Sequence, residues 1–327
     1  MLHLLHKLTM PWKWLIYKKG DIIVRAYPDR LYIESTNMCN LSCIMCPRGN
    51  GLMRRKTGFM DFDLFKQIID EMAGKVETVI LHTWGEPLLH PRIFDMIQYC
   101  AKRKLKTEIS TNATLLDKSM AKELLQTNLH TIYLCMDGVT KSTYEKIRRG
   151  GDFEKTKNNI QNFIRMKNRL KRKYPIIYLQ IVEMQPTINE IEQFKTIWGN
   201  LAGVDHINIK ILDTWGGQIE AINRLKSREI KLPNRRFHCP NLWYHVHIYW
   251  DGTLVCCDRD FNATLPLGNV KNGVMKVWNG ERMAQLRYRH ITGNLDGIIP
   301  CGKCEEWAWW QPTLFSSYGN EPRNIDR

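Results

Sequence analysis

The chain has 327 residues, 43% of them hydrophobic, enough for one large domain or one plus a smaller appendage. It has no apolar run near the roughly 18 residues of a membrane span and no secretory h-region, so a cytoplasmic protein is expected. Ten cysteines without an export signal read as metal ligands or catalytic thiols rather than disulfides, and the net charge of +15 suits either a polyanionic partner or a solvated basic surface.

Residues 1–30 open with MLHLLHKLTMPWKWLIYKKG, which mixes Leu, Trp and Lys. That composition suits an interfacial anchor in peripheral contact with a membrane, or packing against the domain, and Pro11 is expected to interrupt it. From 31 to 215, strand-like runs (LYIES, TVILHT, KTEIST, TIYLCM, IYLQIV, HINIKIL) alternate with amphipathic helical stretches. One of those stretches is expected to run from STYEKIRR through NIQNFIRMKNRL. The alternation implies a parallel sheet with ligands at the carboxyl ends of its strands, either a partial barrel or an open doubly wound sheet. Residues 216–235 are polar and basic and read as a linker. From 236 to 327 a smaller α+β unit is expected, with a hairpin turning at Asp251-Gly252 and a helix over VMKVWNGERMAQLRYR.

The first strand runs straight into CNLSCIMCP. Cys39, Cys43 and Cys46 can hold three irons of a 4Fe-4S cubane, which leaves the fourth iron open to a ligand that is not protein. A zinc site would want a fourth ligand, and nothing near the motif supplies one. A second set, Cys239, Cys257, Cys301 and Cys304, fills a cluster completely; by ligand count alone it fits zinc almost as well. Cys100 lies in a helical pattern and reads as core.

The triad and its position resemble the radical S-adenosylmethionine superfamily, whose signature CxxxCxxC follows the first strand of a partial (β/α)6 barrel. The resemblance implies an α/β fold of that TIM-like kind with a small C-terminal auxiliary-cluster domain. It implies that the open iron binds S-adenosylmethionine, which is cleaved on reduction to a 5′-deoxyadenosyl radical. WGEPLLHP resembles the segment that binds the cofactor's amino group, implying roles for Gly85 and Glu86, with Trp84 in place of the family's first glycine. STNATLL resembles the ribose-contacting segment, with Ser110 and Asn112. CMDGVTKSTYEKIRRG resembles the stretch that approaches ribose and carboxylate, giving Cys135, Asp137 and Arg148, a cysteine standing where a serine is usual. Met45 takes the position whose backbone meets adenine.

The spacing C(x12)G(x4)C around Cys239 and Cys257, with DRDFNATLPLGNV and VWNG, resembles the SPASM domain. No cysteine follows Cys304, so the shortened single-cluster form called twitch is expected. Cys256 is then a spare thiol and a candidate hydrogen donor. The resemblance implies two 4Fe-4S clusters, an external one-electron donor such as flavodoxin or ferredoxin, and oxidation or epimerisation of a small polyhydroxylated or aminated substrate. Radical modification of a peptide, or of a nucleotide or RNA, is the alternative. A nucleic-acid-binding zinc protein would leave the triad unexplained, and a nucleic-acid partner is not expected.

Overall fold

The computed structural model describes residues 2–229 and 231–314. After an N-terminal helix α1 (Leu2–Lys19), six strands follow: β1 (Arg30–Ile33), β2 (Thr78–Ile80), β3 (Lys106–Thr111), β4 (Thr131–Cys135), β5 (Ile176–Glu183) and β6 (His206–Ile211). The helices between them are α2 (Phe62–Met72), α3 (Ile93–Lys102), α4 (Lys118–Gln126), the pair α5 (Lys141–Ile147) and α6 (Phe153–Arg169), and α7 (Ile191–Gly199). All six strands are parallel and lie side by side in chain order. An order without reversal winds the sheet in one sense and keeps its right-handed crossovers on one face, as in a partial barrel; a doubly wound sheet would reverse.

The alternation of side chains agrees. Leu31, Val79, Ile109, Ile132, Leu179 and Ile181 are wholly buried against Phe65, Ile97, Leu124, Phe163 and Phe194 of the helices. The opposite face carries rings and amides: Tyr133 stacks on Tyr178 at 4.8 Å, Tyr178 on His206 at 4.5 Å, and Tyr32 on His247 at 4.3 Å.

Beyond β6 come short helices α8 (Glu220–Asn223) and α9 (Asn241–Tyr244), strands β7 (His245–Ile248), β8 (Thr253–Val255) and β9 (Gly268–Asn269), then α10 (Val274–Trp278) and α11 (Glu281–Thr292). The hairpin β7–β8 does not stand apart. β7 pairs in parallel with β1, from Arg30 opposite His245 to Ile33 opposite Ile248, so a single nine-stranded sheet runs β6-β5-β4-β3-β2-β1-β7-β8-β9. This covers the edge that β1 would otherwise present.

Four local expectations change. The polar segment after β6 contains α8, anchored by wholly buried Ile222. The long helical stretch breaks between α5 and α6, where Gly150 has φ +88° and Asp152 caps α6 by accepting from Lys155 N at 2.9 Å. The stretch from 274 onward breaks at Asn279, whose side chain clasps Val24 through Oδ1 (2.8 Å) and Nδ2 (3.0 Å). Helix α1 runs unbroken through Pro11 and packs on the C-terminal unit: Tyr17 donates to His238 O at 2.8 Å, and Trp243 Nε1 donates to Asp21 O at 2.9 Å. Residues 315–327 of the expected C-terminal unit lie outside the described residues.

One buried ion pair ties the segment after the triad to the hairpin. Arg55 makes two bonds to Glu34, at 2.9 and 2.6 Å, and lies 3.8 Å over the Tyr249 ring, while Trp250 N donates to the same carboxylate. Arg55→Ala strands a wholly buried carboxylate, and is expected to cost about 3 kcal/mol in urea unfolding. Adding Glu34→Gln should restore part of it, because the amide needs no counter-charge; no restoration would mean that packing on Tyr249 carries the effect.

Candidate functional site

The loop 39–46 leaves the end of β1 and is held by backbone bonds. Ser42 N donates to Arg149 O at 2.9 Å and Ile44 N to Ile147 O at 3.0 Å, so the loop lies along the end of α5. Asn50 Nδ2 donates to the carbonyls of Ile44 and Cys46. Gly49 passes so close that a Cβ there would meet Cys43 O at 2.2 Å.

Cys39, Cys43 and Cys46 share this loop and feel one another's charge. Burial pushes the Cys43 thiol up to about 12. Leu41 N lies 3.5 Å from Cys39 Sγ, and Asn112 Nδ2 points at the same sulfur from 3.9 Å. An all-thiol donor set with N–H groups aimed at sulfur fits an iron–sulfur cluster, whose metal would displace the thiol protons that burial otherwise retains. Among the described residues no three His, Cys, Asp or Glu side chains converge on a site for a single ion.

The residues expected around the cofactor gather at the carboxyl ends of β2 to β4. Gly85 has φ +79°, and a Cβ would meet Thr36 O at 2.4 Å and Met38 O at 2.6 Å. This close approach lets Glu86 N donate to Met38 O at 2.7 Å, beside Cys39. The Glu86 carboxylate is buried and accepts from Thr111 Oγ1, Leu88 N and Asn112 N, at 2.7, 3.1 and 2.8 Å. It clasps the ends of β2 and β3. Asn112 in turn donates to Asn40 Oδ1 at 3.0 Å and so steadies the triad loop.

Ser110 and Cys135 meet each other at 3.1 Å, and Gln180 Nε2 donates to Cys135 Sγ at 3.3 Å while Asn208 donates to Gln180 Oε1 at 2.8 Å. A polar ladder thus crosses β3, β4, β5 and β6. Asp137 holds Arg148 through Nε (2.8 Å) and Nη2 (2.6 Å) and accepts Val182 N at 2.7 Å. The buried guanidinium counters the tendency of burial to keep the nearby Cys43 and Cys135 thiols protonated.

The second set also assembles. Cys239 feels the charge of Cys257 and Cys301, and Cys304 that of Cys239. Burial pushes the Cys239 thiol up to about 12. Cys256 lies with them, its Sγ 4.0 Å from Cys257 Sγ and in contact with Cys301. Cys256 is thus an extra thiol beside two of the four candidate ligands. Cys100, as expected, is wholly buried in the helical core.

Several residues at this site were not singled out in the sequence. Trp215, at φ +57°, donates from Nε1 to Met45 O at 2.9 Å, so the carbonyl of the residue whose backbone is expected near adenine already has a partner. Thr214 N donates to Glu306 Oε1 at 3.1 Å, and Glu306 Oε2 accepts from Cys304 Sγ at 2.8 Å. Arg259 pairs with Asp213 at 2.7 Å and, with Thr214 and Cys304, holds the Glu306 carboxyl down to about 2 despite burial. The segment 213–215 thus joins the triad loop to the second cysteine set. His247, stacked on Tyr32, is buried with neither ring nitrogen bonded, and desolvation lowers it to about 4. The legible signal was positional: DTW ends β6, and DR follows Cys257.

Residues 33–185 match the model of the radical SAM superfamily, and 239–305 match that of SPASM, described as an iron–sulfur cluster-binding domain. A tungsten-containing aldehyde ferredoxin oxidoreductase cofactor-modifying protein of Pyrococcus furiosus is 27% identical, over 90% of this chain and 93% of its own length. The mycofactocin maturase of Mycobacterium tuberculosis is 24% identical over 52% of this chain but only 41% of its own. Among solved structures, Streptococcus suis SuiB bound to S-adenosylmethionine has TM-score 0.66 at 15% identity, covering 90% of this chain and 76% of its own. BtrN in complex with AdoMet and 2-DOIA has TM-score 0.56 at 16% identity, covering 84% and 92%.

Proposed function

Because the chain belongs to the radical SAM superfamily and carries a SPASM iron–sulfur domain, we propose that it abstracts a hydrogen atom from a small polyhydroxylated or aminated substrate and leaves it oxidised or epimerised. Cys39, Cys43 and Cys46 hold the cluster that binds S-adenosylmethionine; Cys239, Cys257, Cys301 and Cys304 hold a single fully ligated auxiliary cluster. With cofactor and an electron from an external donor, the first supplies a 5′-deoxyadenosyl radical and the second an electron sink.

The observation that carries a small substrate is the polar face of the sheet opposite the helices. Beyond the cofactor-side Cys135 it carries the Gln180–Asn208 amide pair, and on β7 the unbonded imidazole of His247. Such a face bonds several hydroxyl or amino groups at once and rejects analogues lacking them. The relative matched over 93% of its length is named for modifying a cofactor, which is also a small molecule. Gly85, Glu86, Ser110, Asn112, Cys135, Asp137, Arg148 and Met45 shape the cofactor side; of these, Glu86, Asn112 and Asp137 act by holding the loop and Arg148 in place.

Anaerobic incubation with candidate polyols and aminocyclitols tests the reading by mass. Loss of a hydrogen pair marks oxidation; a mass unchanged in ordinary water but raised by one deuterium at carbon in heavy water marks epimerisation through an exchangeable thiol. If the reaction is epimerisation, Cys256→Ala should keep both clusters and cofactor cleavage yet abolish the inverted product, since alanine has no S–H to give. Full inversion by that variant, with the same deuterium uptake, would remove Cys256 from the reaction. Turnover of a peptide with no small substrate accepted would overturn the proposal.

A further inference from the structure

Helix α1 buries a lysine and exposes large apolar side chains. Lys13 is buried at 6% exposure and paired with Asp29, while its neighbours Trp12 and Leu15 are 47% and 46% exposed. At 3.6 residues per turn, Trp14, Lys18, Pro11, Leu15, Lys19 and Trp12 fall in that order within an arc of roughly 160°. Met10, Ile16 and Tyr17 take the buried side with Lys13. The whole helix, LHLLHKLTMPWKWLIYKK, contains no acidic residue.

The outward arc does not end with the helix. Ile22 and Ile23 follow it, both exposed, and α11 adds exposed Tyr288 and Ile291. Gly20 lies close enough to Ile291 that a Cβ would meet its Cγ1 at 3.1 Å, and Ile22 lines one shallow groove with Ala284, Gln285 and Tyr288. Exposed apolar side chains gathered in this way mark a contact surface. Its charged neighbours are mainly basic: Lys18, Lys19, Arg25, Arg282 and Arg289, against Asp21 and Glu281.

We propose that this face docks the protein on an anionic lipid surface. Indole and aliphatic groups enter the headgroup region, where Trp is favoured, and the lysines and arginines meet lipid phosphates. The observation that selects lipid over a second copy of the chain is charge. Two copies brought face to face would set the same basic rims against each other, whereas an anionic bilayer complements both the rim and the net charge of +15. No described helix is long and apolar enough to cross a membrane, so the contact is peripheral.

The test uses anaerobically purified holoenzyme, floated with phosphatidylcholine vesicles with and without phosphatidylglycerol. Association is expected with the anionic vesicles only, weakened about tenfold by raised salt and about tenfold or more by Trp12→Glu with Leu15→Glu. The double variant should keep its iron and its cofactor cleavage; if it loses iron, Lys18→Glu with Lys19→Glu replaces it with the same expected loss of binding. Absence of binding to anionic vesicles at low salt would overturn the proposal, as would equal binding to neutral ones. A dimer in solution that the same substitutions dissociate would assign the face to a second copy and overturn it as well.

Discussion

Replacing Cys39, Cys43 and Cys46 together with alanine is expected to abolish reductive cleavage of S-adenosylmethionine and to lower iron from about eight per chain to about four. The loop should survive the change, because it is held by backbone bonds from Ser42 and Ile44 to Arg149 and Ile147 and by Asn50, none of which uses a thiol. Burial keeps the Cys43 thiol protonated until metal displaces the proton, so alanine there removes no charge from the unloaded loop. The remaining iron would then report the Cys239, Cys257, Cys301 and Cys304 set. Product analysis for 5′-deoxyadenosine, beside iron and sulfide assay, reads both halves. Undiminished cleavage would exclude the triad as the cofactor site; zinc in the second set would overturn its assignment.

The second large effect is steric. Gly85→Ala is expected to cost about 4 kcal/mol or more, lowering the Tm by about 6 °C, because it adds left-handed strain at φ +79° to overlap with two backbone carbonyls. The Met38 carbonyl cannot move away without breaking its bond from Glu86 N, which sets the approach to Cys39. Gly74 supplies the control. It has φ +78° with nothing within 4 Å of a built Cβ, so Gly74→Ala carries the strain alone, about 1–2 kcal/mol. Thermal unfolding of the two variants under anaerobic conditions compares them. Equal losses would mean that the loop yields and that the close approach is not required. Gly49→Ala, whose Cβ would meet Cys43 O, should lose iron from the triad in the same assay.

Much of this molecule is legible along the chain because its signals are local. The triad spans eight residues, so spacing alone announces three thiolates and an open iron. Period-two strands and helical stripes report burial on one side of each element, and β3 falls where KTEIST predicts it. Gly85 and Glu86 are visible as a strand-end motif. What Glu86 does is not: its carboxylate is spent on Thr111, Leu88 and Asn112, partners that only the folding of β2 beside β3 brings within reach.

Composition and periodicity left a partial barrel and a doubly wound sheet both open, since each alternates strand and helix; strand order separates them, and order is a long-range property. The pairing of β7 with β1 joins residues more than two hundred positions apart, and no pattern within His245–Ile248 names its neighbour. Trp215 could be seen at a strand end, but not that its indole would reach the Met45 carbonyl. The outward Trp12 and buried Lys13 reverse what side-chain chemistry alone suggests, because Asp29 supplies the buried charge its partner. The sequence by itself therefore determined the chemistry, through residue types at short spacing. Only the tertiary structure decided which distant groups complete each side chain's bonds, since those partners are chosen by packing across the sheet and not by neighbours along the chain.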